Sequence, residues 1–439
     1  MTYRASLPAL CRPGRRSAFG IAALLLSVAA CGGSGDEERS VAITSTGPNA
    51  VSYWNDIANK TVNATSTVNT TAEEQRPSYA VDLATVHVAI YDAVTAIDGR
   101  FKPFAIRPSA PAAGASIDAA AAAAAYGVLR ALFPNRGAQY QAAYDSAIAG
   151  VAAGEARVKG IALGSEVAAG IVALRADDGR NVALAPYVSA PLPGKFRSAN
   201  ATPFNRYVPY IKTFSLTRAD QFRPAGPPPL ESAAYATDFN QSRAAGGSVS
   251  TARTPEQLET ARFHTELPTL FITRNLGRFA TSTTDVAEAA RLMALIYVVH
   301  ADAITACFEA KYFYEFWRPL SAIPLAETDN NAATTSDPAW TPVVPSPNHP
   351  EYPAAHSCTA GSLGEALYRY YGTRKVTYSF DSAATATTRN YASTDALGEE
   401  SEVARVYGGM HFHFSTVDGL TLGKQVAQWV AQRHFGPRD

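Results

Sequence analysis

Apolar positions in this chain recur at helical spacing rather than in strict alternation. Residues 80–97 place Leu83, Val86, Ile90 and Val94 on one stripe, the spacing of an amphipathic helix. Ser116-Ile117-Asp118 can cap a run over 119–132 in which alanine dominates and helix propensity is high. Two further helices are predicted over 138–151 and 155–175, stopping before Asp177-Asp178-Gly179. Helical pattern resumes over 233–241, and Thr254-Pro255-Glu256 is an N-cap followed by proline at the first helical position. The longest run, 284–314, is apolar on most faces and so predicted to be central and buried, with His300 and Asp302 as its midsection polar groups. Three more helices follow over 353–370, 395–407 and 415–435, with Ser415 and Asp418 fitting a capping box for the last. Between these, 180–230 carries prolines and aromatics without periodicity, a long connection packed over the surface, and 325–350 reads as a loop. No convincing alternating strand and no repeat of fixed period are present. The expectation is an all-α helical bundle, with residues 51–439 forming one large domain.

The N-terminus reads differently. Arg12, Arg15 and Arg16 precede an apolar run from Phe19 to Ala30, too short to span a bilayer and typical of an export signal. That run ends in Val28-Ala29-Ala30-Cys31, which resembles the bacterial lipobox. Residues 1–30 are therefore expected to be a lipoprotein signal peptide, Cys31 the lipid-attachment residue, and 31–50 a flexible Gly/Ser/Glu-rich tether. The alternative is an ordinary signal peptide in which Cys31 is incidental. Membrane contact is expected only through that lipid, at the cell envelope. Composition is ordinary for a globular chain, and 38 basic residues balance 38 acidic ones, so nothing suggests the basic excess of a nucleic-acid binder. Any cluster of cations must therefore be local.

Three C-terminal segments supply one: Lys311 with Trp317-Arg318-Pro319, then His349-Pro350-Glu351-Tyr352-Pro353-Ala354-Ala355-His356, then Arg405 with Gly408-Gly409-Met410-His411. Lys311 and Arg318 are two helical turns apart, and Pro319 biases Arg318 away from helical backbone. His356 falls in a first helical turn, where free N–H groups and small side chains accept anions. Arg405 can neutralise an anion bidentately, and the imidazole of His411 can act as nucleophile or ligand. Each piece alone reads as well as surface charge or helix capping. Together they suit a tetrahedral or trigonal-bipyramidal oxyanion. Cys307 lies one turn before Lys311 and Cys358 two residues after His356. If both segments meet at one anion, a disulfide fits their placement, but two buried free thiols are the expectation.

In order and spacing these segments resemble the vanadium-dependent haloperoxidases and the acid phosphatases that share their anion pocket, the type-2 phosphatidic acid phosphatase superfamily. The pattern there is Lys, six residues, Arg-Pro; Pro-Ser-Gly-His; and Arg, five residues, His. Lys311 to Arg318-Pro319 and Arg405 to His411 keep that spacing, and His356 takes the place of the middle histidine. Trp317 to Leu320, Tyr352-Pro353, His87 to Val94 and Thr251 to Glu256 look more like the haloperoxidase branch. Ala354 and Ala355 replace the Ser and Gly of the pattern, removing a hydroxyl hydrogen bond to the anion worth about 1 to 2 kcal/mol. Ser415 stands where an acidic residue often follows the last histidine, so Asp302 is the candidate partner for His411.

The resemblance implies a helical bundle that binds vanadate and oxidises halide with hydrogen peroxide in the presence of a small organic acceptor. By this likeness His411 is the vanadium ligand, and Lys311, Arg318, Arg405 and the Ala355 backbone neutralise equatorial oxygens. Lys311 also polarises bound peroxide, and His356 hydrogen-bonds the apical oxygen and moves a proton. Seven residues before the middle histidine the family uses Phe in chloroperoxidase-like members and His in bromoperoxidase-like ones. His349 stands at that position, favouring bromide or iodide. Phosphate fits the same pocket, so an acid phosphatase with His411 as nucleophile is the alternative, or a catalytically weakened surface lipoprotein that merely binds an oxyanion.

Overall fold

Two long apolar helices, Tyr79–Asp98 and Val286–Tyr314, organise the chain because each is buried along nearly its whole length. The computed structural model describes residues 39–65 and 79–438. The expected signal peptide, Cys31 and the first part of the expected tether lie outside these described residues. In chain order the helices are α1 (Ala50–Thr65), α2 (Tyr79–Asp98), α3 (Ile117–Leu132), α4 (Gly137–Ala149), α5 (Glu155–Arg175), α6 (Ala233–Gly246) and α7 (Pro255–Phe263). There follow α8 (Pro268–Asn275), α9 (Gly277–Ala280), α10 (Val286–Tyr314), α11 (Pro319–Ala322), α12 (Ala355–Tyr371), α13 (Ala396–Tyr407) and α14 (His413–Arg433). One continuous hydrophobic core runs from Val51 to Phe435. Within it α10 packs on α2 on one side and on α12 and α14 on the other, while α2 carries α3 and α5. Arg39–Asp439 form one compact unit.

Small residues decide how closely these helices approach. The alanines of α3 are buried, and Gly160 and Gly164 of α5 lie on its backbone: a Cβ at Gly164 would fall 2.2 Å from the Ala120 carbonyl oxygen. The same device joins α12 to α14, where a Cβ at Gly423 would fall 2.1 Å from the Cys358 oxygen and one at Gly419 2.6 Å from the Ala354 oxygen. Capping follows the sequence at several starts. Ser116 accepts from the Ala119 N–H, Asp285 from those of Ala287 and Glu288, and Thr254 and Gln257 form a complete capping box.

Three expectations need correction. A small sheet is present: β1 (Val41–Ala42) runs parallel to β2 (Val376–Ser382), which pairs antiparallel with β3 (Thr387–Tyr391). The later part of the expected tether is therefore fixed, with Val41 and Ile43 donating to the carbonyls of Lys375 and Thr377. Second, α14 begins at His413, without a capping box. Its entry is held instead by remote carboxylates, Glu351 accepting from the Phe412 N–H and Asp238 from the Phe414 N–H. Third, Asp302 does not reach His411. Its carboxylate accepts the backbone N–H groups of Phe214, Ser215 and Leu216 at 2.7–3.0 Å, pinning the proline-rich connection onto α10. Asp92 of α2 does the same for Phe104, Ala105 and Ile106.

Candidate active site: a buried cationic pocket

The C-terminal end of α10 brings Lys311 to the bundle interior, where it is 0% exposed. The helix stops at Tyr314, and Glu315 adopts left-handed backbone (φ 50°) while its N–H returns to the Lys311 carbonyl. That turn carries Trp317 and Arg318 inward, with Arg318 extended before Pro319, as an X-Pro pair dictates. The 349–354 segment follows the same wall, its Glu351 N–H donating to the Phe316 carbonyl. α12 then starts at Ala355 with no side-chain cap, so its first-turn N–H groups have no side-chain acceptor. The turn between α13 and α14 supplies Arg405 and His411. There Gly409 is required by both φ (+73°) and space, since a Cβ would fall 2.3 Å from the Gly246 oxygen. Tyr235, Phe239, Phe316, Trp317 and Phe412 form an apolar cluster on one side.

Lys311, Arg318, Arg405, His349, His356 and His411 are all buried, and contacts among these segments bring them together. The Arg318 guanidinium donates to the carbonyls of His349 and Met410, both at 2.8 Å, and reaches His411 Nε2 at 3.4 Å. Lys311 Nζ donates to the carbonyls of Pro350 (3.0 Å) and Glu351 (2.9 Å), two of the three hydrogens an ammonium has. Arg405 donates to the His264 carbonyl at 2.5 Å and to Met410 Sδ at 2.8 Å, and its Nε has no partner. The His349 ring lies against Arg318 (Nη2 to Nδ1 3.1 Å) and edge-on to Phe308.

The residue that reasoning from the sequence missed is Glu351. Its Oε1 lies 2.8 Å from His411 Nδ1 and accepts the Phe412 N–H at 3.0 Å, while Oε2 is buried and unpartnered. A carboxylate of this kind only accepts and a guanidinium only donates, so the two neighbours fix the tautomer: His411 carries its proton on Nδ1 and leaves the Nε2 lone pair facing Arg318. The signal was present in the sequence, because Glu351 is the carboxylate within the middle motif itself. His356 Nε2 donates to the Glu266 carbonyl at 2.8 Å, so the neutral ring keeps Nδ1 as an acceptor for a hydroxyl or a proton.

Electrostatically the pocket lacks negative charge. Three basic side chains face one carboxylate, in a place where burial makes each charge costly. Burial, and then Arg318, push Lys311 well below the usual lysine range and Arg405 down to about 9; burial alone takes Arg318 to about 10 against the pull of Glu351. Burial raises Glu351 to about 7, opposed by Lys311 and Arg318. Burial, then the neighbouring cations, hold His411 and His349 well below the ordinary histidine range, so both rings are neutral; His356 is lowered by burial and then Arg405. An oxyanion would relieve this excess and meet the free Arg405 Nε, the remaining Lys311 hydrogen and the uncapped start of α12. The residues present therefore fit vanadate or phosphate. Among the described residues no cluster of three His, Cys, Asp or Glu side chains could hold a metal cation.

Under the pocket, Cys307 of α10 and Cys358 of α12 form a disulfide, with Cα atoms 6.4 Å apart, in place of the free thiols expected. Convergence of the two helices on one site brings the sulfurs together.

Residues 291–437, which contain every site segment, match the sequence model of the VCPO second helical-bundle domain. Over 112 residues the chain is 33% identical to the vanadium chloroperoxidase of Curvularia inaequalis, a stretch covering 23% of this chain and 18% of that protein. The sequence-model match is thus confined to the C-terminal third, the part that carries the pocket, and the chain spans under a fifth of the curated relative's length. The chain also shares its fold with the crystal structure of a bacterial vanadium-dependent iodoperoxidase. There the TM-score is 0.71 at 20% identity, covering 90% of this chain and 100% of that one. A holo bacterial vanadium-dependent chloroperoxidase aligns with a TM-score of 0.62 at 15% identity, over 85% and 96% of the two chains.

Proposed function

We propose that this protein is a vanadate-dependent haloperoxidase that oxidises iodide or bromide with hydrogen peroxide. The observation that carries the reading is the orientation of His411: Glu351 holds Nδ1–H, and the Nε2 lone pair faces the Arg318 guanidinium in the pocket shared with Lys311 and Arg405. Lys311, Arg318, Arg405 and the first turn of α12 would hold the oxygens of vanadate, and His411 Nε2 would ligate its vanadium. Bound there, vanadate supplies a Lewis acid that activates peroxide toward halide without changing oxidation state. Lys311, stripped of water and short of counter-charge, polarises oxygen on the substrate side. His356 accepts the proton that peroxide sheds, its Nδ1 being the free nitrogen once Glu266 holds Nε2. The aromatic cluster around Trp317 and Phe412 keeps water from the reacting atoms.

His349 and Phe308 support the halide assignment. A neutral imidazole beside Arg318 and against a phenyl ring offers a polarizable, weakly hydrated surface, suited to a large halide. Rates with iodide, bromide and chloride, measured under saturating peroxide after loading with orthovanadate, test this. Iodide and bromide should turn over at least tenfold faster than chloride, and chloride oxidation at a comparable rate would overturn the assignment. We propose on the sequence alone that the chain is exported and lipid-anchored through Cys31.

A further inference from the structure

Among the described residues, Met410 stands apart from the other sulfurs. The chain has three methionines. Met293 lies in the α10 core at 0% exposure, and Cys307 and Cys358 are already joined as a disulfide. Met410 Sδ instead accepts a hydrogen bond from Arg405 Nη2 at 2.8 Å, and the Met410 carbonyl accepts one from Arg318 at 2.8 Å. The next residue is His411. A thioether is readily oxidised to its sulfoxide, and here it touches a guanidinium of the anion pocket.

We propose that Met410 is a self-modification site: hypohalous acid formed in the pocket oxidises its sulfur to the sulfoxide, and this lowers oxyanion binding by displacing Arg405. The inference rests on the haloperoxidase reading. The sulfur lone pair attacks the halogen of hypohalous acid, an S–halogen bond forms and the O–halogen bond breaks with loss of hydroxide. Water then adds to sulfur, halide leaves and two protons are released, one neutralising the hydroxide. Sulfur gives up two electrons and halogen falls from +1 to −1. Met410 is only 2% exposed, but it borders the pocket that peroxide and halide must enter, so an oxidant made there or admitted by the same route meets its sulfur.

The consequence follows from space. Met410 is enclosed with Ala261 and Val344, and even a Cβ at Gly408 would come within 3.0 Å of its methyl carbon. Arg405 Nη2 lies directly against the sulfur, so an oxygen added on that side meets the guanidinium. A sulfoxide must therefore push Arg405 away or swing into an apolar cluster. Sulfoxide reduction would restore the site, so the modification is reversible.

Two arms test this on the full-length protein. In the first, small additions of hypobromous acid, without peroxide, are followed by mapping of the Met293 and Met410 peptides by mass and by orthovanadate titration. Met410 should gain one oxygen before Met293, with vanadate affinity falling at least fivefold and recovering after methionine sulfoxide reductase treatment. Oxidised Met410 with unchanged affinity, or Met293 reacting first, would overturn the proposal. In the second arm the vanadate-loaded protein turns over iodide or bromide with peroxide. Activity should decay as the Met410 sulfoxide accumulates, and Met410→Leu should complete several-fold more turnovers before losing half its initial rate. Sustained turnover with unmodified Met410 would also overturn it. Failure of halide oxidation itself in this arm would count against the haloperoxidase reading, while the first arm would still decide whether Met410 controls the pocket.

Discussion

At the scale of single residues, spacing made the cations legible and left their partners hidden. Lys311, Arg318, Arg405, His356 and His411 could be named because three short segments keep the order and spacing of the haloperoxidase and acid phosphatase pattern that they resemble. The partner of His411 could not be found that way, because a hydrogen bond across 60 residues leaves no periodic trace. Asp302, the candidate from the sequence, serves backbone N–H groups on the far side of α10. With Glu351 in that position, Glu351→Ala frees the His411 tautomer and removes the one carboxylate among three basic side chains. Vanadate or phosphate affinity, measured by titration calorimetry on the folded variant, should fall about 10- to 100-fold, as for other lost supports of a ligating histidine. Glu351→Gln, which keeps an acceptor for Nδ1–H, should lose less. Equal affinity in wild type and Glu351→Ala would show that the tautomer is set elsewhere.

At the scale of elements, helices with clear stripes and caps were readable, and the small sheet was not. Val376, Tyr378 and Phe380 are buried in alternation, but β2 is seven residues long, its hairpin partner is polar, and β1 is two residues, so tertiary pairing rather than local pattern creates it. The two central helices also share a device that pattern alone does not reveal, a buried aspartate holding three successive N–H groups of a following or distant loop. Burial raises both Asp92 and Asp302 to about 6, with those N–H groups opposing it. Between about pH 4 and 6 the folded chain keeps protons that the unfolded chain has released. Each aspartate thus contributes stability that is full below pH 4 and lost as pH rises through 6. The difference in unfolding free energy between wild type and Asp302→Asn should accordingly shrink from pH 4 to pH 6 and level off above 7. Denaturant titrations across that range check it, and a difference growing with pH would contradict it.

At the scale of the whole molecule, the all-α bundle was legible, because apolar periodicity over hundreds of residues leaves few other architectures. The N-terminal half needs only buried stripes and small residues at close contacts, which many sequences satisfy. Shared fold accordingly extends over 90% of the chain while close sequence identity covers 23%. Across the C-terminal half the Cys307–Cys358 bridge ties α10 to α12 over 51 residues, a closure worth about 4 kcal/mol in the chain-entropy account. A thiol titration of the denatured, unreduced protein should find neither cysteine reactive, and Cys307→Ser should lower the melting temperature by several degrees. Reactive thiols at both positions would remove the bridge from the account. The central claim, that this cationic pocket works as a haloperoxidase, is tested most directly by peroxide-dependent iodide oxidation with and without orthovanadate, in wild type and His411→Ala. Oxidation that requires vanadate and is lost in His411→Ala is the predicted result. Vanadate bound without halide oxidation, alongside phosphate-ester hydrolysis that needs His411, would contradict it.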